Sequence, residues 1–247
     1  MCGRYVLAIP ADEIADAFRA TFTPDAAERY LPSYNIPPTT PVLALSEDPR
    51  GDRVLDLYRW GLLPPWTKSP SSGPTMHNAR AETIATKPSF RSAFRSRRVA
   101  IVAQGYFEWR RTPGAALEPF YISRADGAPL AFAGIWESWV GDGREVRSTA
   151  VVTTAAGADT EGIHDRMPVV LEPDVLDLWL DPDEVDRDTL ASVLHPATAG
   201  TLRAWAVDPR VGKVRENDPE VIVPLTSESP TRDRGVETPT LFDTRSI

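Results

Sequence analysis

The sequence predicts an α+β fold whose core is a mostly antiparallel, strongly curved, barrel-like β-sheet with short helices at its periphery. Three observations carry this reading. First, the chain has 24 prolines in 247 residues, and each removes a backbone donor and breaks a helix or a central strand, which argues against a helical bundle. Second, five strand-like runs follow one another: RVAIVAQG (98–105), YFEWRR (106–111), PFYISR (119–124), LAFAGIWES (130–138) and VRSTAVVTT (146–154). Third, turn signals such as TPGAALE, ADG and GDG join these runs, not helical crossovers, so the pairing is mostly antiparallel.

The remaining elements follow in chain order. ADEIADAFRATF (11–22) places Ile14, Ala17, Phe18 and Phe22 at helical spacing and reads as a short amphipathic helix. LPSYNIPPTTP (31–41) reads as irregular and extended. VLALSE (42–47) and RVLDLYRWGL (53–62) read as strands around an EDPRGD turn, and PPWTKSPSSGPT (64–75) as a loop. NARAET (78–83) and SFRSAFRS (89–96) read as short helical turns. Two late helices fall in VVLEPDVLDLWL and DRDTLASVL, with Pro173 or Asp174 and Asp188 as starts. RAWAVDPRV and VIVPL read as closing strands. Residues 1–225 are expected to form one domain, which at this length buries roughly 70–75% of its unfolded surface without staples. Residues 226–247 have few core-forming positions and are expected to be a disordered tail.

Composition narrows the function. One cysteine excludes an internal disulfide framework. No apolar run approaches the roughly 18–20 residues of a membrane span, and MCGRYVLAIPADE lacks the basic and apolar regions of a signal peptide. The expected compartment is the cytoplasm. The net charge of −8 conceals an asymmetry: residues 1–111 carry 15 basic and 11 acidic side chains, a net of +4, and residues 112–247 carry 12 and 24, a net of −12. Arg80, Lys87, Arg91, Arg95, Arg97 and Arg98 form a basic strip interrupted only by Glu82. Such a strip binds phosphates even on an acidic protein, because screening cuts off distant charge beyond about 8–10 Å; a solvated, self-paired helix face is the alternative.

Cys2 is the most informative residue. Removal of Met1 would leave a free α-amine beside its thiol, a 1,2-aminothiol. With a reference pKa near 7.7–8.0, against about 10.4 for lysine, such an amine is partly neutral at pH 7. It attacks an aldehyde to give a Schiff base, and the tethered thiol then closes on the imine carbon to form a thiazolidine. The alternative is a small residue that merely permits removal of Met1. Glu108 stands among Tyr106, Phe107 and Trp109, where inward burial would raise its pKa and make it an acid/base; pairing with a surface arginine is the alternative. His164 lies in a polar turn before a strand, placed to shuttle protons or to cap the turn through Asp165. HExxH, CxxC, GxGxxG, GxxxxGK[ST] and GxSxG spacings are absent, so no metal or nucleotide cofactor is expected.

MCGRY, YNIPP, WGLLPPW, NARAET, GYFEW and IHDRMPVVL, in this order, resemble the SRAP family (SOS-response-associated peptidase, abasic-site processing proteins), and VGKVRENDPEVIVPL resembles its closing segment. The resemblance spans Cys2 to about Leu225. It implies a protein that crosslinks to abasic sites in single-stranded DNA through Cys2. It also implies that Asn78 orients the terminal residue and the opened sugar, that Glu108 is the acid/base, and that His164 assists ring opening. Arg4 and Arg80 sit in blocks the family uses for DNA phosphates, and Asn35, Trp66 and Thr153 lie in matching blocks. Whether strand cleavage through the Schiff base accompanies capping stays open. Two other readings remain: a thiol peptidase or amidohydrolase built on Cys2, and a non-covalent binder of single-stranded or modified DNA. A monomer associated with the nucleoid is expected. Leu241 and Phe242, in the tail, resemble the Leu-Phe of sliding-clamp ligands; an unselected tail is the alternative.

Overall fold

The computed structural model describes residues 2–48, 50–70 and 75–225. The expected tail at 226–247, with its Leu241–Phe242 pair, and Met1 lie outside the described residues.

In chain order the elements are β1 (Tyr5–Leu7), α1 (Ala11–Phe18), β2 (Thr21–Phe22), α2 (Pro24–Arg29), β3 (Ser33–Ile36), β4 (Pro41–Glu47), β5 (Arg53–Trp60), β6 (Asn78–Arg80), α3 (Ala81–Ile84), α4 (Arg91–Ser96), β7 (Arg98–Ala103), β8 (Gly105–Arg110), β9 (Glu118–Arg124), β10 (Leu130–Gly141), β11 (Arg144–Ala155), β12 (Arg166–Pro168), α5 (Pro173–Leu180), α6 (Arg187–Ser192) and β13 (Leu202–Ala206). Two 3₁₀ turns, Pro209–Gly212 and Pro219–Ile222, follow.

Two sheets are built from these strands. One is antiparallel, in the order β13-β9-β8-β1-β3. The other runs β12-β11-β10-β7-β4-β5-β2, and β5 pairs back onto β11. Strands β11, β10, β7, β4 and β5 therefore close a ring, which removes the edges an open sheet would expose. The expected α+β class with a curved, barrel-like core is what the chain adopts. The β10–β11 hairpin turns at Asp142 and Gly143, both in the left-handed region at φ 52° and 71°, as a tight two-residue hairpin turn requires. Alternating burial along β5 and the uninterrupted burial of β7 mark a strand with one apolar face and a strand covered on both faces.

The principal core fills the ring and the space between the two sheets. Tyr5 lies edge-on to Trp60 at 5.3 Å and to Phe132 at 6.3 Å, and Tyr106 meets Phe132 at 5.7 Å. A second cluster, Val6, Phe107, Tyr121, Val207, Val211 and Val221, covers the other face of the five-stranded sheet.

Several expectations are corrected. The first helix ends at Phe18 because Arg19 takes a left-handed conformation at φ 49°, and Thr21–Phe22 becomes a strand parallel to β5. Residues 33–36 are a strand, not irregular chain, because β1 offers them a partner. Asn78–Arg80 is a strand on β11 and only Ala81–Ile84 is helical. α6 is capped by Asp186, whose carboxylate accepts from Thr189 N, so the helix begins before Asp188. VIVPL is not a strand: Pro219–Ile222 forms a 3₁₀ turn capped by Asp218. Three pairings, β2–β5, β5–β11 and β6–β11, are parallel. The basic strip also divides. Arg98 is 5% exposed, and its guanidinium donates to the carbonyls of Trp179, Phe94, Arg95, Asp181 and Glu184. It is a clasp between α4 and α5, out of reach of any phosphate. Arg97 is held by Glu137 at 2.6 Å.

Gly105 starts the strand that carries Glu108. A Cβ there would lie 2.5 Å from the Tyr121 hydroxyl and 2.6 Å from the Ile122 carbonyl, so β8 and β9 approach more closely than any side chain permits. Gly105→Ala is expected to cost about 1–3 kcal/mol, measured as a lowered urea midpoint.

Candidate active site at the amino terminus

β1 lies between β8 and β3 in the five-stranded sheet, so the first residues of the chain are held inside the fold. Tyr5 pairs with Tyr106, and Phe107 N donates to Arg4 O at 2.9 Å. Extending that register sets Gly3 opposite Glu108. Cys2 is completely buried, and its carbonyl accepts from Asn78 Nδ2 at 2.8 Å. Burial pushes the Cys2 thiol pKa far up, and the nearby Glu108 charge adds to this; the sulfur therefore rests as a thiol, not a thiolate.

Asn78 is positioned by backbone. Val151 N and Trp60 Nε1 both donate to His77 O, at 3.0 and 2.9 Å, and β6 runs parallel to β11 with Asn78 beside Val151. These bonds fix the residue before Asn78 and aim its amide at Cys2. Asn78 Oδ1 is buried and has no hydrogen-bond partner among the described residues.

Glu108 shares a face of β8 with Tyr106, while Phe107 and Trp109 take the other. It is 4% exposed. Burial raises its carboxyl pKa, and positive charge nearby, His164's included, pulls against that shift. His164 Nε2 lies 4.0 Å from Glu108 Oε2. Arg166 N donates to His164 Nδ1 at 2.9 Å, so the neutral ring carries its proton on Nε2, facing Glu108. Asp165 lies 2.9 Å from the same Nδ1 and receives a bond from it when the ring is protonated. The turn-capping and acid/base readings of His164 are thus compatible: one nitrogen serves each. A cavity of about 560 Å³ opens onto the pair, lined also by Trp109, Arg111, Ile163 and Asp165.

The other expected residues divide into exposed groups and scaffolding. Arg80 is exposed at the end of β6, and Trp66 is 65% exposed on the loop after β5. That loop is anchored by a bond from Trp139 Nε1 to Thr67 O at 2.7 Å. Asn35 is 2% exposed. Its Nδ2 donates to the carbonyls of Val211, Lys213 and Glu216, and its Oδ1 accepts from Arg4 at 2.7 Å. Arg4 also donates to Val211 O at 3.0 Å and faces no carboxylate among the described residues. Thr153 is fully buried, and Arg166 donates to its carbonyl at 2.6 Å. Asn35 and Thr153 therefore hold the frame; neither presents its side chain to solvent. Sequence reasoning missed Arg166. It lies in the same block as His164, but its partner Glu82 is far away in sequence. Among the described residues no three His, Cys, Asp or Glu side chains converge as metal ligands, and no helix is long and apolar enough to cross a membrane.

Residues 1–214 match the sequence profile of the family described as SOS response associated peptidase (SRAP). The chain is 38% identical to abasic site processing protein YoqW of Bacillus subtilis over 90% of this chain and 99% of that one. It is 32% identical to abasic site processing protein YedK of Escherichia coli, covering 91% and 100%. A crystal structure of a protein from Bacteroides thetaiotaomicron superposes with a TM-score of 0.80 at 25% identity, over 91% of this chain and all of the other.

A carboxyl whose native pKa lies above its unfolded value keeps its proton longer in the folded state. Stability then falls as pH rises from about 4.3, the unfolded value, through the native one. Glu108→Gln removes that penalty. The variant is expected to resist urea better than the parent at pH 7.5, with the difference shrinking toward pH 4.

Proposed function

From this chain's membership of the SOS response associated peptidase family, shown by the match over residues 1–214, we propose that it processes abasic sites in single-stranded DNA by covalent capture at Cys2. The observation that carries the reading is the tethering of a buried Cys2 by Asn78 beside a Glu108–His164 pair. Once Met1 is removed, the residue offers an amine and a thiol two carbons apart, just ahead of β1 and held by Asn78.

The chemistry follows from the positions. An abasic sugar is in equilibrium between a closed hemiacetal and an open aldehyde. Opening moves the anomeric hydroxyl proton to a base and delivers a proton to the ring oxygen. Glu108 with a raised pKa and His164 with its proton on Nε2 supply such a pair. The Cys2 amine adds to the aldehyde carbon, and a proton delivered to the new hydroxyl releases water and leaves the Schiff base. The thiol then adds to the imine carbon while its proton passes to nitrogen, closing the thiazolidine. Asn78 Oδ1, unpartnered among the described residues, accepts from a sugar hydroxyl. A thiol whose pKa is raised is a poor free nucleophile, but it suffices for ring closure within one residue. That argues for capture over a thiol peptidase, which needs a thiolate.

A lesion without a base offers no base edge to read, so binding rests on phosphates and stacking. Arg80 and Arg4 supply cations, and the exposed Trp66 supplies a ring. Asn35 holds Arg4 in place, and Thr153 with Arg166 sets β12 and hence His164.

Protein processed to Cys2 is incubated with a single-stranded oligonucleotide carrying one abasic site and run on a denaturing gel. An adduct is expected, and it is lost in Cys2→Ala. Peptide cleavage without an adduct, or retention on a native gel alone, would reject capture. Glu108→Ala is expected to slow adduct formation at least 10²-fold with DNA affinity little changed; equal loss of both makes Glu108 structural. Arg80→Ala should lower the salt slope of binding by about 0.7.

A further inference from the structure

The strand β11 is a ruler along the candidate site. Asn78, which tethers Cys2, pairs with Val151, and Arg80 pairs with Thr153, two residues further on. In the opposite direction Arg59 pairs with Ser148, three residues from Val151, or about 10 Å at the parallel-strand rise. The reacting position therefore lies between Arg80 on one flank and Arg59 on the other. Beyond Ser148 the same strand carries Arg147 and Arg144.

Arg59, Arg144 and Arg147 line one cleft of about 550 Å³, together with Arg29 and Tyr58. Its two carboxylates are Asp25, which holds Arg29 at 2.7 Å, and Glu145, which accepts from Ser138 Oγ at 2.6 Å and keeps its charge, so four arginines face two acids. Arg147 is paired with Asp56 and stacks over Tyr58 at 5.2 Å. Arg59 and Arg144 have no carboxylate partner among the described residues. Arg59 is half-buried, and burial alone pulls its pKa down, the mark of a cation desolvated without a counter-ion. Its Nη1 donates to Gly61 O at 2.6 Å, and a Cβ on Gly61, at φ +127°, would fall 2.9 Å from that nitrogen. The bare backbone at Gly61 thus makes room for the guanidinium. The cleft also shares chain with the proposed DNA face. Thr39 and Pro41 follow the YNIPP block, and Pro70 lies four residues after Trp66 in the same loop.

We propose that this cleft is a second phosphate site. It holds the backbone of the captured strand on the flank of the lesion opposite Arg80, so that the strand crosses the reacting position with cations on both sides. The inference rests on the strand-capture reading, from which its test can be separated.

Affinity is measured on undamaged single strands of about three and about twenty nucleotides across a salt series, with adduct yield on the short strand carrying a central abasic site run alongside. One nucleotide on each side of the lesion falls short of the roughly 10 Å between the Cys2 position and Arg59, so the short strand covers the Cys2 site alone. Arg59→Gln with Arg144→Gln is expected to lower the salt slope on the long strand by about 1.4, since each single-strand phosphate contact contributes about 0.7, and to leave short-strand affinity and adduct yield unchanged. Arg144→Glu, on an exposed side chain, tests the same point if Arg59→Gln does not fold, and is expected to lower the long-strand slope by at least about 0.7. An unchanged long-strand slope in these variants, or an equal loss on the short strand, overturns the proposal. Absence of any adduct in the parent overturns capture instead, and the undamaged-strand affinities still decide the cleft.

Discussion

The structure depends on the burial of residues 2 and 5–7, with β1 built into the interior of a sheet. Terminal residues ordinarily fray, because few contacts offset the entropy of ordering them. Here β1 has a hydrogen-bonded neighbour on each side, β8 and β3, and Tyr5, Val6 and Leu7 are buried between two apolar clusters. Cys2, three residues before that strand, is completely buried, and the Asn78 amide fixes its carbonyl. Under the proposed capture, Cys2 is as well positioned as a residue on an internal strand.

That placement sets the local electrostatics. Desolvation raises both the Cys2 thiol and the Glu108 carboxyl, and it leaves Arg4 and Arg59 with lowered pKa values and no carboxylate within the described structure to compensate. At neutral pH this is a cost to folding for Glu108, Arg4 and Arg59, whereas the Cys2 thiol, neutral folded and unfolded, carries none. Groups kept in such surroundings concentrate at sites that bind or transform a ligand; here Cys2, Arg4 and Glu108 lie on or beside β1 and β8, and Arg59 on β5 of the other sheet. Arg98 is the contrast. It is equally cut off from solvent, but five carbonyls satisfy it, and its work is to close the surface around α5.

Much of this was legible in residue order. Prolines and successive β runs gave the class, since punctuation and a period of two are local properties. GYFEW offered inward burial of Glu108 as one of two readings, and the structure, with Glu108 buried, takes that one. The aminothiol logic of Cys2 needs only the identity of the second residue. Less legible were elements that exist because a distant partner accepts them. Thr21–Phe22, Ser33–Ile36 and Asn78–Arg80 are too short for a periodic signal and are strands only through β5, β1 and β11. VIVPL has strand composition, yet the Asp218 cap and Pro219 turn it into a 3₁₀ segment.

The sequence by itself determined the fold class, the chemical inventory and the family, because each is written in residue type, order and short-range spacing. Only the tertiary structure decided which members of that inventory meet. It drew Glu108 and His164 to 4.0 Å, joined Asn78 to Cys2, buried Asn35 and Thr153 as framework, and withdrew Arg98 from the basic strip. Ring closure of β5 onto β11 is a long-range pairing between residues nearly ninety positions apart. No local propensity encodes such a contact; it arises when a curved sheet buries its remaining edges.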